Sequence, residues 1–236
     1  MAQESLQAAP GGHHSTTVEQ SRQKRPRRRH QRDVFRSRIV DGATFAGCMD
    51  LPSMAAIQAS PTGLVPFSLA MQTSCRDYDR FVDFYEDDYE FERIWNDPFR
   101  YIDRLARFAG VIAPDFSTCW DFPVAMKAWN TYRNQALGSF LQRSGIPCIP
   151  NVRCEPEHPW MLDGIPHGST VAIGARSCVK RVEDRRRFIE AVHLAVDTLE
   201  PSSIIWYGSS RFGVADYPMS LGIPMHFFPA RMFRQA

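Results

Sequence analysis

The stretch GVIAPDFSTCWDFPVAMKAWNTYRNQALGSFLQRSGIPCIP, residues 110–150, decides the fold class of this chain. Its first five residues, 110–114, read as a short buried strand, apolar and closed by proline. Over residues 123–143, Ala125, Trp129, Tyr132, Ala136 and Phe140 recur at three- and four-residue spacing, the stripe of an amphipathic helix. Gly145 ends that helix, and residues 146–150 form a second strand. A strand, a long helix and a strand make a βαβ unit, whose two strands must run parallel.

The unit repeats downstream. Residues 169–174 read as a strand and 183–199 as a helix, with Phe188, Ala191, Val192, Ala195 and Leu199 facing inward. Glu183 and Asp184 complement the dipole of its first turn, and Pro201 stops it. Residues 204–207 and 225–228 read as further strands. Upstream, residues 67–72 and 81–85 are apolar runs of strand type, and 90–95 suits a short helix. Asp97-Pro98 opens another helix, with Phe99, Ile102 and Ala106 on one face. The expected class is therefore α/β, a mostly parallel sheet with covering helices. It is either partial-barrel-like or open and doubly wound, and strands following one another without reversal favour the barrel.

Composition fits one domain of this kind with a tail. Of 236 residues, 44% are hydrophobic and 12% aromatic, enough for a substantial core. No uninterrupted apolar stretch is long enough for a membrane span, and residues 1–12 lack the apolar centre of a signal peptide. A cytoplasmic location is the expectation. The six cysteines include no C-x-x-C pair, so reduced thiols are expected.

The net charge of +2 conceals an asymmetry. Arg22, Lys24, Arg25, Arg27, Arg28, Arg29, Arg32, Arg36 and Arg38 face one acid, Asp33, giving +8 within 17 residues. From Ile39 onward, 19 cations meet 23 acids, a net of −4. Residues 1–38 lack hydrophobic periodicity and read as a disordered basic arm. Residues 39–65 read as an irregular lead-in, and 66–236 as the α/β domain. Such an arm releases counterions on a polyanion, so it suits DNA or RNA contact through residues 22–38. Arg22, Lys24, Arg25, Arg27, Arg28, Arg29 and Arg32 carry that expectation. A solubilising tail is the plainer alternative.

In a parallel sheet the functional mouth lies beyond the carboxyl ends of the strands. That rule selects Asp115, Asn151 and Arg153 as candidate catalytic residues: a carboxylate for proton transfer, an amide, and a guanidinium for phosphate or carboxylate. Ser117, Arg176, Tyr207 and Gly208 are the candidate ligand-binding residues beside them, and a small anionic ligand is the partner class this set suits. The plainer alternative has Asp115 capping its loop while Arg153 pairs with a nearby acid. Cys119, Cys154 and Cys178 also follow strand ends, but zinc sites use close pairs, and no metal site is assigned. Residues 77–92 hold eight acids among Tyr78, Phe81, Phe84, Tyr85, Tyr89 and Phe91, read as a solvated strand end with its aromatics turned inward. Neither a P-loop nor G-x-G-x-x-G is present, and no motif indicates a cofactor.

The elements P-D-F-S (114–117), W-N-T-Y-R-N (129–134), I-P-N-V-R (149–153) and I-x-Y-G (205–208) stand in the order found in domain of unknown function 4417. Roughly residues 66–228 resemble that family, which occurs in bacteria, phages and mobile elements. The chain departs from the pattern at Ala175-Arg176-Ser177-Cys178, where a turn with His and Gly precedes the cysteine, and at Cys154, where an aromatic is usual. The resemblance implies limits for the domain and no particular reaction. Two functions are compatible with it: a phage-type accessory protein tethered to nucleic acid by its arm, or a small-molecule or nucleotide-modifying enzyme working at the sheet mouth.

Overall fold

A computed structural model of the chain describes residue 33 and residues 35–176 and 178–231. The seven arm cations from Arg22 to Arg32 lie outside the described residues. Asp33 belongs to the folded unit. Its carboxylate accepts from the backbone N–H groups of Ser37 and Arg38 at 2.9 and 3.0 Å, and Arg36 donates to the Trp95 carbonyl.

A small antiparallel ribbon, β1 (Phe45–Ala46) and β2 (Leu51–Pro52), precedes the parallel strands. Then follow β3 (Leu64–Pro66), α1 (Phe67–Ala70), β4 (Phe81–Asp83), α2 (Asp88–Asn96), α3 (Ile102–Leu105), β5 (Gly110–Ile112), α4 (Val124–Arg143) and β6 (Cys148–Ile149). The second half holds β7 (Thr170–Gly174), α5 (Val182–Leu199), β8 (Ser203–Tyr207), α6 (Asp216–Ser220) and β9 (Met225–Phe228). Strands β3-β4-β5-β6 pair in that order, all parallel, and so do β7-β8-β9. A parallel bridge between Asn151 and Ala172 joins the two sheets, with Ala172 N–H donating to Pro150 O and Val152 N–H to Ala172 O, both at 2.8 Å.

Side-chain alternation explains the curvature. One residue parity from successive strands, Leu64, Phe81, Ile112, Ile149, Ala172, Ile205 and Tyr207, meets in a single inner cluster with Tyr85. The other parity, Val65, Val82, Val111, Cys148, Val171, Ile173, Ile204 and Trp206, faces the helices in an outer cluster. Tyr85, just after β4, stacks on Tyr207 of β8 at 4.4 Å, although β5, β6 and β7 lie between them; a flat sheet would hold those strands about 19 Å apart, and a rolled one brings them together. The roll is a partial barrel with no closing strand pair. Between its edges, Phe228 packs on the inner cluster and the Arg231 guanidinium donates to Leu64 O at 3.2 Å. A doubly wound sheet would show a reversal of strand order, and neither sheet contains one.

Three local readings need correction. Residues 67–72 are not a strand: pairing is confined to β3 just before them, and Pro66 leads directly into α1. Asp97 makes no side-chain cap, and a 3-10 turn (Pro98–Tyr101) replaces the first helical turn there. Consequently Leu105 and Phe108 enter the core while Phe99 and Ala106 stay exposed. Within residues 77–92, Asp83 and Glu86 are buried and Tyr89 is exposed: Asp83 turns inward by alternation along β4, Glu86 accepts from Ser68, and Tyr89 lies on the outer face of α2.

The largest departure is the face of α4. Ala125 and Trp129 are exposed, whereas Lys127, Asn130, Thr131, Asn134 and Gln135 are buried at the same helical spacing. A purely apolar stripe misses this because the helix covers loops whose carbonyls and N–H groups need partners.

Candidate functional site

The loops after β5 and β6 owe their shape to that polar face. Asn134 Oδ1 accepts from Phe116 N–H at 2.8 Å, and its amide donates back to Phe116 O. Asn130 donates to Ser117 O, and the Arg133 guanidinium stacks over the Phe116 ring at 3.6 Å while gripping Glu92. Lys127, nearly fully buried, donates to Trp120 O and to Glu155 Oε2, both at 2.6 Å, tying the two loops together. Ser117 is fixed from the other side, since Asp88 accepts from both its N–H and its hydroxyl. Burial pushes the Asp88 carboxyl up, against the lowering effect of the Ser117 hydrogen bonds.

These loops border a cleft of about 470 Å³ beyond the carboxyl ends of β4 to β7, closed on one side by α5. Asp115 and Arg153 form its floor, and Asn151 joins them from behind. The Asp115 carboxylate accepts from Arg153 Nε at 2.6 Å and from a second guanidinium nitrogen, and from Asn151 Nδ2 at 2.8 Å. The Tyr85 hydroxyl donates to Asn151 Oδ1 at 2.9 Å, and Arg153 also donates to Gly174 O at 3.0 Å. Burial would lower the Arg153 guanidinium's pKa, but the charge and hydrogen bonds of Asp115 outweigh it and raise that pKa well above the ordinary value. Burial and the Asp115 charge likewise raise the Tyr85 phenol, so it remains a donor. Every member of the chain Tyr85, Asn151, Asp115, Arg153 is thereby satisfied from within.

Of the expected residues, Asp115, Arg153, Ser117 and Arg176 line the cleft, and Asn151 lies buried behind Asp115. Arg176 donates to Tyr85 O at 2.9 Å and pairs with Asp87 at 3.3 Å. Tyr207 and Gly208 are set further back. Tyr207 stacks on Tyr85 at 4.4 Å and its oxygen accepts from Arg231 N–H. Gly208, at φ 107°, lets the turn after β8 pass Ala175, where a Cβ would lie 3.3 Å from that residue's carbonyl carbon. Arg153 pairs with Asp115 itself, so the site reading and its plainer alternative share one contact. Cys119, Cys154 and Cys178 all border the cleft. Burial pushes the Cys154 thiol up to about 12, and its Sγ lies 3.3 Å from Ala191 O.

Sequence reasoning missed Tyr85, Lys127, Trp120, Glu155 and the α5 wall of Phe188, Ala191, Val192 and Ala195. The last four were expected to face the sheet; their upper ends face the cleft as well. Lys127 had one available signal, a cation on the helical phase shared by Asn130, Thr131 and Asn134.

The sequence profile matching residues 43–221 is described as Domain of unknown function (DUF4417). The chain belongs to this family. Among its relatives, the Gene 1 protein of Mycobacterium phage L5 is 33% identical over 159 residues, covering 64% of this chain and 69% of its own. The Gene 1 protein of Mycobacterium phage D29 is 31% identical over 175 residues, covering 70% of this chain and 65% of its own. No solved structure matches. Both of these relatives are phage proteins. Among the described residues of this DUF4417 chain no helix is long and apolar enough to cross a membrane, and no group of three or more His, Cys, Asp or Glu side chains is placed to hold a metal ion.

Proposed function

We propose that this DUF4417 domain binds, and as an enzyme would transform, a small polar molecule in the cleft at the carboxyl ends of β4 to β7. The observation that carries this reading is the convergence of Asp115, Arg153 and Arg176, from three separate strand ends, on a cleft of about 470 Å³, with Asn151 buried behind Asp115. That volume falls in the range of small-molecule sites. Because both Asp115 oxygens are engaged, the trio acts first by positioning: it fixes Arg153 and the rim loops before a ligand arrives. Ligand-observed NMR with a fragment library tests this on the intact chain. Fragments should bind wild type and lose contact in Ala191→Trp, which fills the cleft from α5. Equal binding to both proteins overturns the reading.

A second reading rests on a different observation, the seven cations between Arg22 and Arg32. We infer that they anchor the protein to nucleic acid without sequence preference. Retention on a DNA column should fall steeply between 50 and 200 mM salt, by about a factor of ten or more for several phosphate contacts. Removing residues 1–32 should abolish it. Retention unchanged by that deletion overturns the tether.

A further inference from the structure

The charge of the cleft says what kind of molecule it takes, an inference that rests on the cleft being a ligand site. Its three guanidinium groups are already engaged. Arg153 is held by Asp115, and Arg176 by Asp87 and the Tyr85 carbonyl. Arg187 lies over the Trp120 ring at 4.3 Å and 3.6 Å from Glu183. The carboxylates of the cleft are not matched in this way. Asp121, Glu157 and Asp184 line it without an ion pair to any described residue. Glu155 gives one oxygen to Lys127, while its Oε1 is buried with no hydrogen-bond partner. The apolar part of the lining is Phe188, Ala191, Val192 and Ala195, which continue along α5 from Asp184, with Val152 and Ile173.

We propose that the ligand is an organic cation, an amine or guanidine carrying an apolar body. Its nitrogen lies in the field of Asp121, Glu157 and Asp184, and its body lies along α5. The sequence expectation of an anionic ligand counted Arg153 and Arg176 as available to it; both are engaged within the protein.

Three probes of one shape separate the charge from the shape: 2-phenylethylamine, 2-phenylethanol and 3-phenylpropionate, titrated into the full chain by NMR. Carboxylates at several ångströms in a solvent-open cleft favour the amine over the carboxylate by about tenfold or more at low salt, less at high salt. The triple variant Asp121→Asn, Glu157→Gln, Asp184→Asn, built on exposed or half-exposed positions, should reduce that preference to about threefold or below. Preference for 3-phenylpropionate, or for 2-phenylethanol over the amine, overturns the cation inference while leaving the ligand site standing. Failure of all three probes to reach the cleft, judged against Ala191→Trp, overturns both.

Discussion

Asp83 offers the sharpest test of how this interior is built. It sits on the inner face of β4 between Phe81 and Tyr85, fully buried, and its Oδ1 accepts the Tyr85 N–H at 3.1 Å. Burial raises its pKa from 3.8 to about 7; the Tyr85 hydrogen bond opposes this, the nearby charges of Glu86 and Asp115 add to it, and Arg231 works against it. Between those two values the folded chain holds a proton that the unfolded chain has released. Stability is therefore greatest below pH 3.8 as far as this group is concerned, and declines by about 1.4 kcal/mol per pH unit until pH 7. Over the whole window the loss is about 4 kcal/mol. The substitution Asp83→Asn keeps the shape and the acceptor while removing the titration. Urea unfolding of both proteins between pH 4.5 and 8 should show similar stability at the acid end and a variant more stable by about 2–4 kcal/mol at pH 8. Asp88, also raised by burial, contributes the same sign in both proteins and cancels in the difference. A difference that stays constant across that range would refute the placement of a protonatable carboxyl in the barrel interior.

Asp115→Ala strands a guanidinium on the cleft floor and should cost about 3 kcal/mol in urea unfolding, while Asp115→Ala with Arg153→Met recovers much of it; equal losses in the single and double variants would argue against coupling. Gly174→Ala places a Cβ 2.6 Å from the Tyr85 ring and 3.0 Å from an Arg153 nitrogen, so it should lower stability by about 1–3 kcal/mol and displace both side chains, seen as a changed near-ultraviolet dichroism of the Tyr85–Tyr207 stack. Alkylation by iodoacetamide at pH 8, mapped by peptide mass spectrometry, should reach exposed Cys48 first, and Cys148 and Cys154 only after unfolding, since burial pushes both of their thiols up.

The parallel architecture was legible because its signals are periodic. The strands at Gly110–Ile112, Thr170–Gly174, Ser203–Tyr207 and Met225–Phe228 and the helix Val182–Leu199 match their apolar runs closely. The rule that sites follow strand ends was enough to bring out Asp115, Asn151 and Arg153, which the structure joins through hydrogen bonds. What periodicity could not supply was the identity of partners. The phase of α4 was misread because Trp129 and Tyr132 are large and apolar, yet they stack on each other and on Trp95 near the surface. Ala136 and Phe140 of the expected stripe are buried, but in the first half of the helix the buried phase belongs to Asn130, Asn134 and Gln135, whose amides complete loop backbones. The burial of Asp83 was unreadable for a related reason: alternation along β4 points it inward, but a run of eight acids looks like a solvated edge.

The floor of the cleft is over-determined for its structural task. The sheets already have a continuous inner cluster from Leu64 to Tyr207, and apolar burial of that extent suffices to roll them. Adding a largely buried carboxylate–guanidinium pair contributes little net stability, because removing two charges from water offsets most of their attraction. What the pair does supply is geometry. Asp115 follows β5, Asn151 and Arg153 follow β6, and Tyr85 follows β4, so one hydrogen-bonded chain fixes three strand ends relative to one another. Lys127 does the same for the rim by joining the loop at Trp120 to Glu155. A mouth held at this many polar points, with its guanidinium groups engaged, is pre-organised around the space it encloses. Fixed geometry at the strand ends is what the proposed binding cleft requires, and the polar network supplies it.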